Sequence, residues 1–333
     1  MLLVEAVRPL GSMRMDWDGR EPGQQKSART FKASRFKAAR LFLWESAGRM
    51  DIITTVRGMQ DFSETLRLQG KWIVFVPTMG YLHEGHLQLM KEGKPRGDCL
   101  VASIYVNPTQ FGPNEDLEKY PRDFERDERL ARNAGVDVIF YPSNEQMYPK
   151  PYRTYVTVEG ITENLCGLTR PIHFRGVATV CAKLFNIVKP HTAVFGKKDF
   201  QQLAVIKKMV ADLNMNIEII GIPTVREPDG LAMSSRNAYL KAGERESALS
   251  LSRSLKLASE LFERGEKSAE KIRGAVRDFI EGHPGARIDY VKVCDVETMA
   301  DVEFVEAHRS VLALAVWVGT PRLIDNYVFG ETI

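Results

Sequence analysis

The sequence predicts an α/β fold, in which a doubly wound, mostly parallel sheet is followed by a smaller α+β domain. From Met50 onward, short apolar segments alternate with helical segments, which is the order that βαβ units produce. The apolar segments are almost continuously apolar, as strands are when helices cover both faces of a sheet. After Pro223 two polar helices precede three strands. We therefore predict an extension over residues 1–49, a Rossmann-like domain over 50–222 and a smaller C-terminal lid domain over 223–333.

Each element follows from local composition. The segment KWIVFVP (71–77) is an apolar strand that runs into a histidine-rich turn, and the helix after it carries Leu87 and Met90 on one face. The same alternation predicts strands at 99–106, 136–142, 192–195 and 217–223, and helices at 82–94, 123–134, 177–188 and 199–213. In the second domain we predict helices at 243–264 and 267–281, and strands at 287–294, 310–318 and 322–328.

Composition excludes several classes of protein. The chain has 333 residues, of which 44% are apolar and 27% charged, as in an ordinary globular protein. Its longest apolar run, around residues 311–318, is too short for a membrane span, which needs ~20 residues. Four scattered cysteines form no CxxC pair, so they indicate neither a zinc site nor a disulfide framework: Cys99, Cys166, Cys181 and Cys294. We expect a cytoplasmic protein that does not bind membranes.

The net charge of +3 is unevenly distributed. Residues 1–49 hold ten Lys or Arg against five Asp or Glu, whereas the rest of the chain holds 36 against 38. The main part of the chain is therefore not a basic protein that coats nucleic acid. Residues 22–44 carry six basic and no acidic side chains, which fits a targeting presequence. A disordered extension, or an upstream start with Met50 as the real first residue, is the alternative that the acidic residues before position 22 favour.

The segment PTMGYLHEGH (77–86) is the first candidate site. It lies where a strand ends and a helix begins, and there the free backbone N–H groups and the helix dipole favour an anion. His83 and His86 are three residues apart, so both imidazoles reach one face of the first helical turn and the same phosphate. A zinc site is not favoured, because no third ligand lies nearby and the HExxH spacing is absent. Two histidines could also share this turn by coincidence.

Two further segments suit a polyanion. EPDGLAMSSRNAYL (227–240) offers the hydroxyls of Ser234 and Ser235 and the guanidinium of Arg236 before a helix, although a capped helix start with a surface arginine has the same pattern. FGKKDFQQL (195–203) puts Lys197 and Lys198 at a helix start, where cations are unfavourable unless an anion binds. A solvated pair of lysines is the alternative interpretation.

Neutral amides lie near the same edge of the predicted sheet. Asn107 and Gln110 follow the strand 99–106, and Gln202 lies on the helix after FGKKD. An amide both donates and accepts hydrogen bonds, so these side chains suit a ligand with hydroxyls and a carboxylate, although each could be an ordinary loop hydrogen bond. The chain has no GxxxxGK[ST] and no strand-borne GxGxxG. A nucleotide would instead be bound by HEGH, the HxGH element of nucleotidylyltransferases and class I tRNA synthetases.

Five segments, in this order, resemble the pantothenate synthetase (pantoate–β-alanine ligase) family of the HxGH nucleotidylyltransferase type. They are VPTMGYLHEGH, VNPTQFGPNEDLEKYPR, RPIHFRGVATVCAKLFNIVKP, FGKKDFQQL and DGLAMSSRNAYL. The resemblance covers about Met50 to the C-terminus and leaves out residues 1–49. It implies ATP-dependent condensation of pantoate with β-alanine through a pantoyl-adenylate, with Mg²⁺, without a prosthetic group and in a homodimer.

The resemblance also implies residue roles. His86 is the expected proton donor, with His83, Lys198 and Arg236 beside it on the phosphates. Gln110 is expected to contact pantoate and β-alanine, and Gln202 to contact pantoate. The residues expected to bind ATP are Met79, Gly80, Tyr81, Leu82, His83, Glu84, Gly85, His86, Gly196, Lys197, Lys198, Asp199, Val225, Met233, Ser234, Ser235 and Arg236. No metal site made by protein groups alone is expected.

Three positions depart from the family pattern. Lys197 stands where the family has Glu, Ile172 where it has Gly, and His191 where it has Asp. None of the three removes a residue expected to take part in the chemistry, and Lys197 is expected to add charge near the nucleotide. The reaction brings an anion against a polyanion, so Lys198, Arg236, Mg²⁺ and the two imidazoles are expected to supply positive charge. A nucleotidylyltransferase acting on a phosphorylated substrate, or a nucleotide-binding module with an inert site, remains an alternative.

Overall fold

The computed structural model describes residues 50–113 and 115–333, so the predicted extension lies outside the described residues. Two sheets organise them, a parallel sheet of six strands and an antiparallel sheet of three. The predicted fold class, a doubly wound parallel sheet with a smaller α+β part, is confirmed. None of the helices in this part of the chain has the length and apolar character that crossing a membrane requires.

The parallel sheet sets the position of the site. Its spatial order is β1-β4-β3-β2-β5-β6, so the chain winds outward from β2 in one direction and then returns to β5 on the other side. The point between β2 and β5 is the switch point, where loops diverge beyond the carboxyl ends of the strands and leave a crevice. The strands are β1 (Asp51–Ile53), β2 (Ile73–Thr78), β3 (Cys99–Ile104), β4 (Val138–Phe140), β5 (Thr192–Gly196) and β6 (Glu218–Ile222).

Helices pack against the parallel sheet, and the sequence analysis missed three of them (56–68, 144–147 and 166–169) together with the first strand. β1 has three residues and pairs only with β4, and Thr55 caps the helix that follows by accepting a hydrogen bond from the Gly58 N–H. The helices are α1 (Val56–Leu68), α2 (Glu84–Gly93), α3 (Phe124–Asn133), α4 (Asn144–Met147), α5 (Cys166–Thr169), α6 (His173–Val188) and α7 (Phe200–Asp212). The central strands are buried on both faces, as their apolar sequences predict.

The antiparallel sheet has a core of its own. It consists of β7 (Ala286–Asp295), β8 (Ser310–Val318) and β9 (Arg322–Val328), with helices α8 (Arg245–Glu263) and α9 (Ala269–Glu281) packed beside it. Leu255, Ile272 and Leu312 are fully buried in a cluster whose buried members all lie between 231 and 329. The buried members of the cluster under the parallel sheet all lie between 50 and 222. The domain boundary near 223 stays a prediction, and these separate cores are the observation that supports it.

Candidate active site

A cavity of about 1470 Å³ lies at the carboxyl ends of β2, β3 and β5. Loops after these three strands line it, together with the segments around Val225 and Met233 and part of β9. This is the crevice that the strand order predicts for a ligand. The cavity therefore brings together segments that lie more than 150 residues apart in the sequence.

The turn after β2 is held in place by a buried carboxylate. Gly80 and Tyr81 both have positive φ, 83° and 51°, and the Gly80 N–H donates back to the Thr78 hydroxyl at 3.2 Å. Asp127 of α3 accepts hydrogen bonds from the N–H groups of Tyr81 at 2.6 Å and Leu82 at 2.7 Å. A Cβ atom at Gly80 would lie 2.9 Å from the Asp127 carboxylate, which is why this position needs glycine. The sequence analysis missed Asp127, because nothing in its local pattern points to a turn 45 residues earlier.

The two histidines lie together, and both rings are neutral at neutral pH. His83 caps α2, its Nδ1 accepts from the Gly85 N–H at 3.2 Å, and His86 Nδ1 accepts from the His83 N–H at 3.3 Å. The ring centroids are 4.1 Å apart. Because each Nδ1 accepts, the ring proton of each neutral imidazole is on Nε2.

Burial, and after it the charge of Lys198, lowers the pKa of His83 to about 4. Burial, and then His83 and Lys198, lowers the pKa of His86 well below its ordinary value. The expectation that these imidazoles supply positive charge therefore needs correction. They are hydrogen-bond donors through Nε2–H, and the cations of this part of the cavity are lysine and arginine.

The amide of Gln110 is fixed by its neighbours. It ends a 3₁₀ turn (Pro108–Gln110), and its Oε1 accepts from Asn107 Nδ2 at 3.1 Å. Its Nε2 lies 3.1 Å from the Met79 sulfur, so the loop after β3 meets the turn after β2. The Asn107 amide also donates to the Gly176 carbonyl, and the Tyr148 hydroxyl donates to Asn107 Oδ1. These contacts orient Gln110 at the wall of the cavity.

Helix α6 approaches this turn very closely. A Cβ atom at Gly176 would lie 2.3 Å from the Thr109 carbonyl oxygen and 2.5 Å from the Gln110 Cα, so only glycine fits. The approach brings His173 Nδ1 to 3.0 Å from the Gln110 carbonyl oxygen and Arg170 Nη2 to 3.3 Å from the same atom. The segment RPIHF contributed to the family resemblance, but sequence reasoning gave neither side chain a role.

Arg170 also holds a carboxylate. Its Nε donates to Glu115 Oε1 at 2.9 Å and its Nη2 to Glu115 Oε2, a two-point contact. Burial, and after it the Arg170 charge, lowers the pKa of His173 to about 4, so this ring is also neutral at neutral pH. A carbonyl only accepts and a guanidinium only donates, so His173 carries its proton on Nδ1.

The two adjacent lysines have different surroundings. Lys198 lines the cavity with its side chain 19% exposed, and its ammonium lies 4.0 Å from the Asp199 carboxylate. The Lys197 ammonium binds Glu331 at 2.8 Å. The Asn326 amide donates to the carbonyls of both lysines and so fixes the turn. Lys197 is therefore directed to the C-terminal segment, where Glu331 offsets its charge, and its contact with the nucleotide stays a prediction.

The serine-containing segment meets the turn after β2. The Ser235 hydroxyl donates to the Tyr81 carbonyl at 3.4 Å, and the Met233 N–H donates to the Val225 carbonyl at 2.9 Å. Arg236 donates from Nε and Nη2 to the two oxygens of Asp116, at 3.1 and 2.9 Å. Burial alone would lower the pKa of Arg236, but the Asp116 carboxylate raises it above its ordinary value.

Most of the residues predicted from the sequence line this one cavity. They are Met79, His83, Gly85, His86, Gln110, Gly196, Lys198, Asp199, Gln202, Val225, Met233, Ser234, Ser235 and Arg236. Gly80, Tyr81 and Leu82 form the turn itself, which Asp127 holds through the N–H groups of Tyr81 and Leu82, and Leu82 is fully buried. Glu84 binds Lys91 at 2.6 Å. Two of the residues that depart from the family pattern lie at different ends of the sheet. Ile172 lines the cavity. His191 stacks on Trp72 and accepts a hydrogen bond from the Ile73 N–H, at the opposite ends of the strands.

Comparisons with known proteins agree with this geometry. A family model described as pantoate–beta-alanine ligase matches residues 51–328. The chain is 66% identical to the pantothenate synthetase of Syntrophus aciditrophicus strain SB over 284 residues, which are 85% of this chain and 99% of the relative. It is 60% identical to that of Geobacter sulfurreducens over 282 residues, again 85% of this chain and 99% of the relative.

Two solved structures have the same fold. The crystal structure of pantothenate synthetase from Thermus thermophilus superposes with a TM-score of 0.79 at 42% identity, over 84% of this chain and 99% of the other. The pantoate–beta-alanine ligase from Francisella tularensis, solved in complex with beta-gamma ATP and beta-alanine, has a TM-score of 0.69 at 33% identity, over 85% of this chain and 99% of the other.

Proposed function

The chain belongs to the pantoate–beta-alanine ligase family, and from this membership we propose which of its residues carry the two steps of the reaction. The enzyme joins pantoate to β-alanine at the expense of ATP. The observation that supports the assignment best is that His83, His86, Lys198 and Gln110 line one cavity at a switch point. The neutral amide of Gln110 and the proposed phosphate-binding groups of His83, His86 and Lys198 border the same cavity.

In the first step the pantoate carboxylate attacks the α-phosphorus of ATP, giving pantoyl-adenylate and pyrophosphate. Lys198 and Arg236 provide fixed positive charge for the phosphates. His86 and His83 donate hydrogen bonds from Nε2–H to oxygens on which negative charge grows as the bond to pyrophosphate breaks. Ser234, Ser235 and the free N–H groups at the start of α2 add neutral donors. His86 is therefore the proton-donating residue of the proposal.

Pantoate is held by neutral groups. The side-chain amides of Gln110 and Gln202 form hydrogen bonds with the hydroxyls of pantoate in this proposal, and Gln110 also contacts β-alanine. A neutral amide suits the pantoate carboxylate, because a strong counter-ion would reduce its nucleophilicity. The Asn107 and Met79 contacts hold the Gln110 amide ready for this task.

In the second step the β-alanine amine attacks the acyl carbon and expels AMP. This step needs a neutral amine and little water, because water hydrolyses the mixed anhydride. Residues 223–333 act as a lid in the proposal, since they carry Met233 to Arg236 against the nucleotide side of the cavity. Closure of this lid would exclude water after the adenylate has formed.

Mg²⁺ would enter with ATP and offset phosphate charge. Within 50–113 and 115–333 no three or more His, Cys, Asp or Glu side chains are grouped to hold a metal. Asp199 lines the cavity, 4.0 Å from the Lys198 ammonium, and would supply one oxygen ligand to the ion. A homodimer in the cytoplasm completes the proposal and rests on family membership.

The pyrophosphate exchange reaction tests the proposal. Purified protein with Mg²⁺ and pantoate should exchange labelled pyrophosphate into ATP in the absence of β-alanine, because the adenylate forms before the amine enters. A free amine has a pKa near ~10 and is mostly protonated at neutral pH, so it needs an activated acyl group. His86→Ala should lower the exchange rate by about 10²- to 10⁴-fold with little change in ATP affinity.

Other outcomes would reject parts of the proposal. Exchange that strictly requires β-alanine would indicate a concerted reaction of three substrates. An unchanged exchange rate in His86→Ala would remove His86 from the mechanism. Transfer of AMP to a phosphorylated substrate, without pantoate, would favour a nucleotidylyltransferase, and ATP binding without any turnover would favour an inert binding module.

A further inference from the structure

Residues 152–159 form a surface segment whose backbone is mostly unpaired. The chain makes no helix, turn or bend over this segment. Among the backbone N–H groups of residues 152–158, only that of Val156 has a hydrogen-bond partner in the part of the chain that the structure describes, the Thr179 hydroxyl at 2.9 Å. The letters TYVTV (154–158) are all aromatic or β-branched, which favours a strand. An exposed edge of this kind is a template for pairing with another chain.

Helix α6 holds the segment in one orientation. The Arg175 guanidinium lies 3.9 Å from the centroid of the Tyr155 ring. Arg175 and Thr179 are four residues apart on α6, so they lie on the same face of the helix. The Val156 N–H points toward this face, and successive N–H groups of an extended chain point in opposite directions. The backbone groups that point away from α6 are then those of residues 153, 155 and 157.

We propose that residues 152–158 pair in antiparallel register with the same segment of a second copy of this chain, the two copies of Tyr155 being directly opposite each other. The inference rests on the proposed function, because it names the surface through which the proposed homodimer forms. A two-fold axis at Tyr155 lets the outward N–H and carbonyl groups of each copy bond to those of the other. Both copies use the same edge, so the contact closes into a dimer and leaves no edge for further copies.

Two unpaired charges favour a second copy as the partner. Arg153 and Glu159 are exposed, and neither forms an ion pair with the residues that the structure describes. In the proposed register Arg153 lies opposite Thr157, and Glu159 of the second copy is its diagonal neighbour on the same face. Diagonal neighbours are ~7–8 Å apart, which a long side chain can span. The symmetric pairing therefore forms two ion pairs, whereas a register centred on Arg153 would put two like charges opposite each other.

A row of tyrosines connects the segment to the pantoate side of the cavity. The rings of Tyr155 and Tyr152 meet edge to face at 5.4 Å, and those of Tyr152 and Tyr148 at 4.8 Å. The Tyr148 hydroxyl donates to Asn107 Oδ1 at 2.8 Å, and the Asn107 amide donates to Gln110. Pairing at Tyr155 therefore limits the movement of groups that orient a proposed pantoate ligand.

Cysteine cross-linking tests the register in the full-length protein. In Tyr155→Cys the two new thiols would face each other, with Cα atoms ~5.5 Å apart, a separation that a disulfide spans. Mild oxidation should convert most of this variant into a covalent dimer at low protein concentration, which a non-reducing gel measures. The four native cysteines are buried, so they add little background.

Arg153→Cys is the matched control, because it lies in the same segment and is also exposed. Its two copies would lie ~13 Å apart along the paired strands, which is too far for a disulfide. Arg153→Cys should therefore not cross-link by itself. It should cross-link after subunit exchange with Thr157→Cys, because these two positions are opposite each other in the register. Equal cross-linking of Tyr155→Cys and Arg153→Cys would indicate random collision and overturn the inference.

Charge reversal gives an independent measurement. Glu159→Arg puts like charges next to Arg153 in both copies and should raise the dimer Kd about 5- to 50-fold, measured by sedimentation over a dilution series. The double variant Arg153→Glu/Glu159→Arg restores opposite charges and should return the Kd close to that of wild type. At dilutions where Glu159→Arg is a monomer, its KM for pantoate should exceed that of the wild-type dimer.

The opposite results would overturn the inference. A wild-type dimer whose Tyr155→Cys variant does not cross-link, or whose Glu159→Arg variant dissociates no more easily, would place the interface elsewhere. An equal KM for pantoate in monomer and dimer would contradict the support of the cavity.

A failure of the proposed function would look different. Wild-type protein that is a monomer at every concentration would remove the proposed homodimer and this inference together, and pyrophosphate exchange in the same sample would still test the proposed chemistry. Absence of exchange with pantoate alone, in protein that dimerises and cross-links as expected, would reject the chemistry and leave the interface in place.

Discussion

Asp116 and Arg236 form a two-point ion pair at the cavity wall, with distances of 3.1 and 2.9 Å. Because Arg236 is proposed to bind phosphate, Asp116 competes with ATP for the same guanidinium. Asp116→Asn should therefore bind ATP about 5- to 50-fold more tightly in the absence of pantoate, since a charged acceptor is replaced by a weaker neutral one. Calorimetric titration with a non-hydrolysable ATP analogue measures this change.

Glu118→Gln is the matched control for that experiment. Glu118 lies two residues away, lines the same cavity and is exposed to solvent. Its replacement should leave the ATP affinity close to that of wild type. Weaker ATP binding in Asp116→Asn would mean that Asp116 orients Arg236 for the nucleotide, which is the opposite role.

Local patterns predicted some of the site residues and could not predict others. HEGH and SSR are short segments at strand ends, so their chemistry could be read from residue type and spacing. Asp127, Asp116 and Glu115 accept hydrogen bonds from residues 45 to 120 positions away in the sequence. These contacts exist only in the folded chain, so no local pattern predicts them. The neutral state of His83 was also out of reach, because it depends on burial, which the sequence does not reveal.

At the scale of elements, the contact between α6 and the turn after β3 organises the substrate side of the cavity. Gly176→Ala would put a Cβ 2.3 Å from the Thr109 carbonyl, so the helix must shift and Gln110 with it. We expect a loss of stability of about 1–3 kcal/mol and a raised KM for pantoate. Urea unfolding and steady-state kinetics measure the two effects.

Gly274 provides the opposite case within α9. A Cβ there meets nothing within 4 Å. Gly274→Ala should therefore stabilise the protein by about 0.5–1 kcal/mol through helix propensity and leave the kinetics unchanged. Equal effects of the two substitutions would show that the close approach at Gly176 is tolerated.

The long elements were predictable because their patterns are strong, and the short ones were not. The predicted helix at 267–281 corresponds to α9 at Ala269–Glu281, and the predicted strand at 310–318 to β8 at Ser310–Val318. The sequence did not predict β1, because three residues are too few to form a periodic pattern. This strand is defined by its parallel pairing with β4. Its helix α1 carries Gly58 in its first turn and has little apolar sequence to mark its start.

At the scale of the whole molecule, buried neutral histidines make stability depend on pH. His173 has its pKa lowered from 6.5 to about 4 by burial and then by Arg170, so the unfolded chain binds a proton more readily than the folded protein between these values. Stability is therefore full above about pH 6.5 and falls as the pH drops toward 4. His83 has a pKa lowered in the same way and acts in the same direction.

His173→Asn isolates one of these contributions. Asparagine can still donate to the Gln110 carbonyl but cannot take up a proton, so the variant should lose less stability than wild type on acidification. From pH 6.5 to 4.5 we expect the difference to be about 2 kcal/mol, measured by urea unfolding at each pH. Carboxylates that titrate in this range act alike in both proteins and cancel in the comparison. Parallel stability–pH curves for the two proteins would mean that His173 is protonated in the folded state, and would contradict its neutral role beside Arg170.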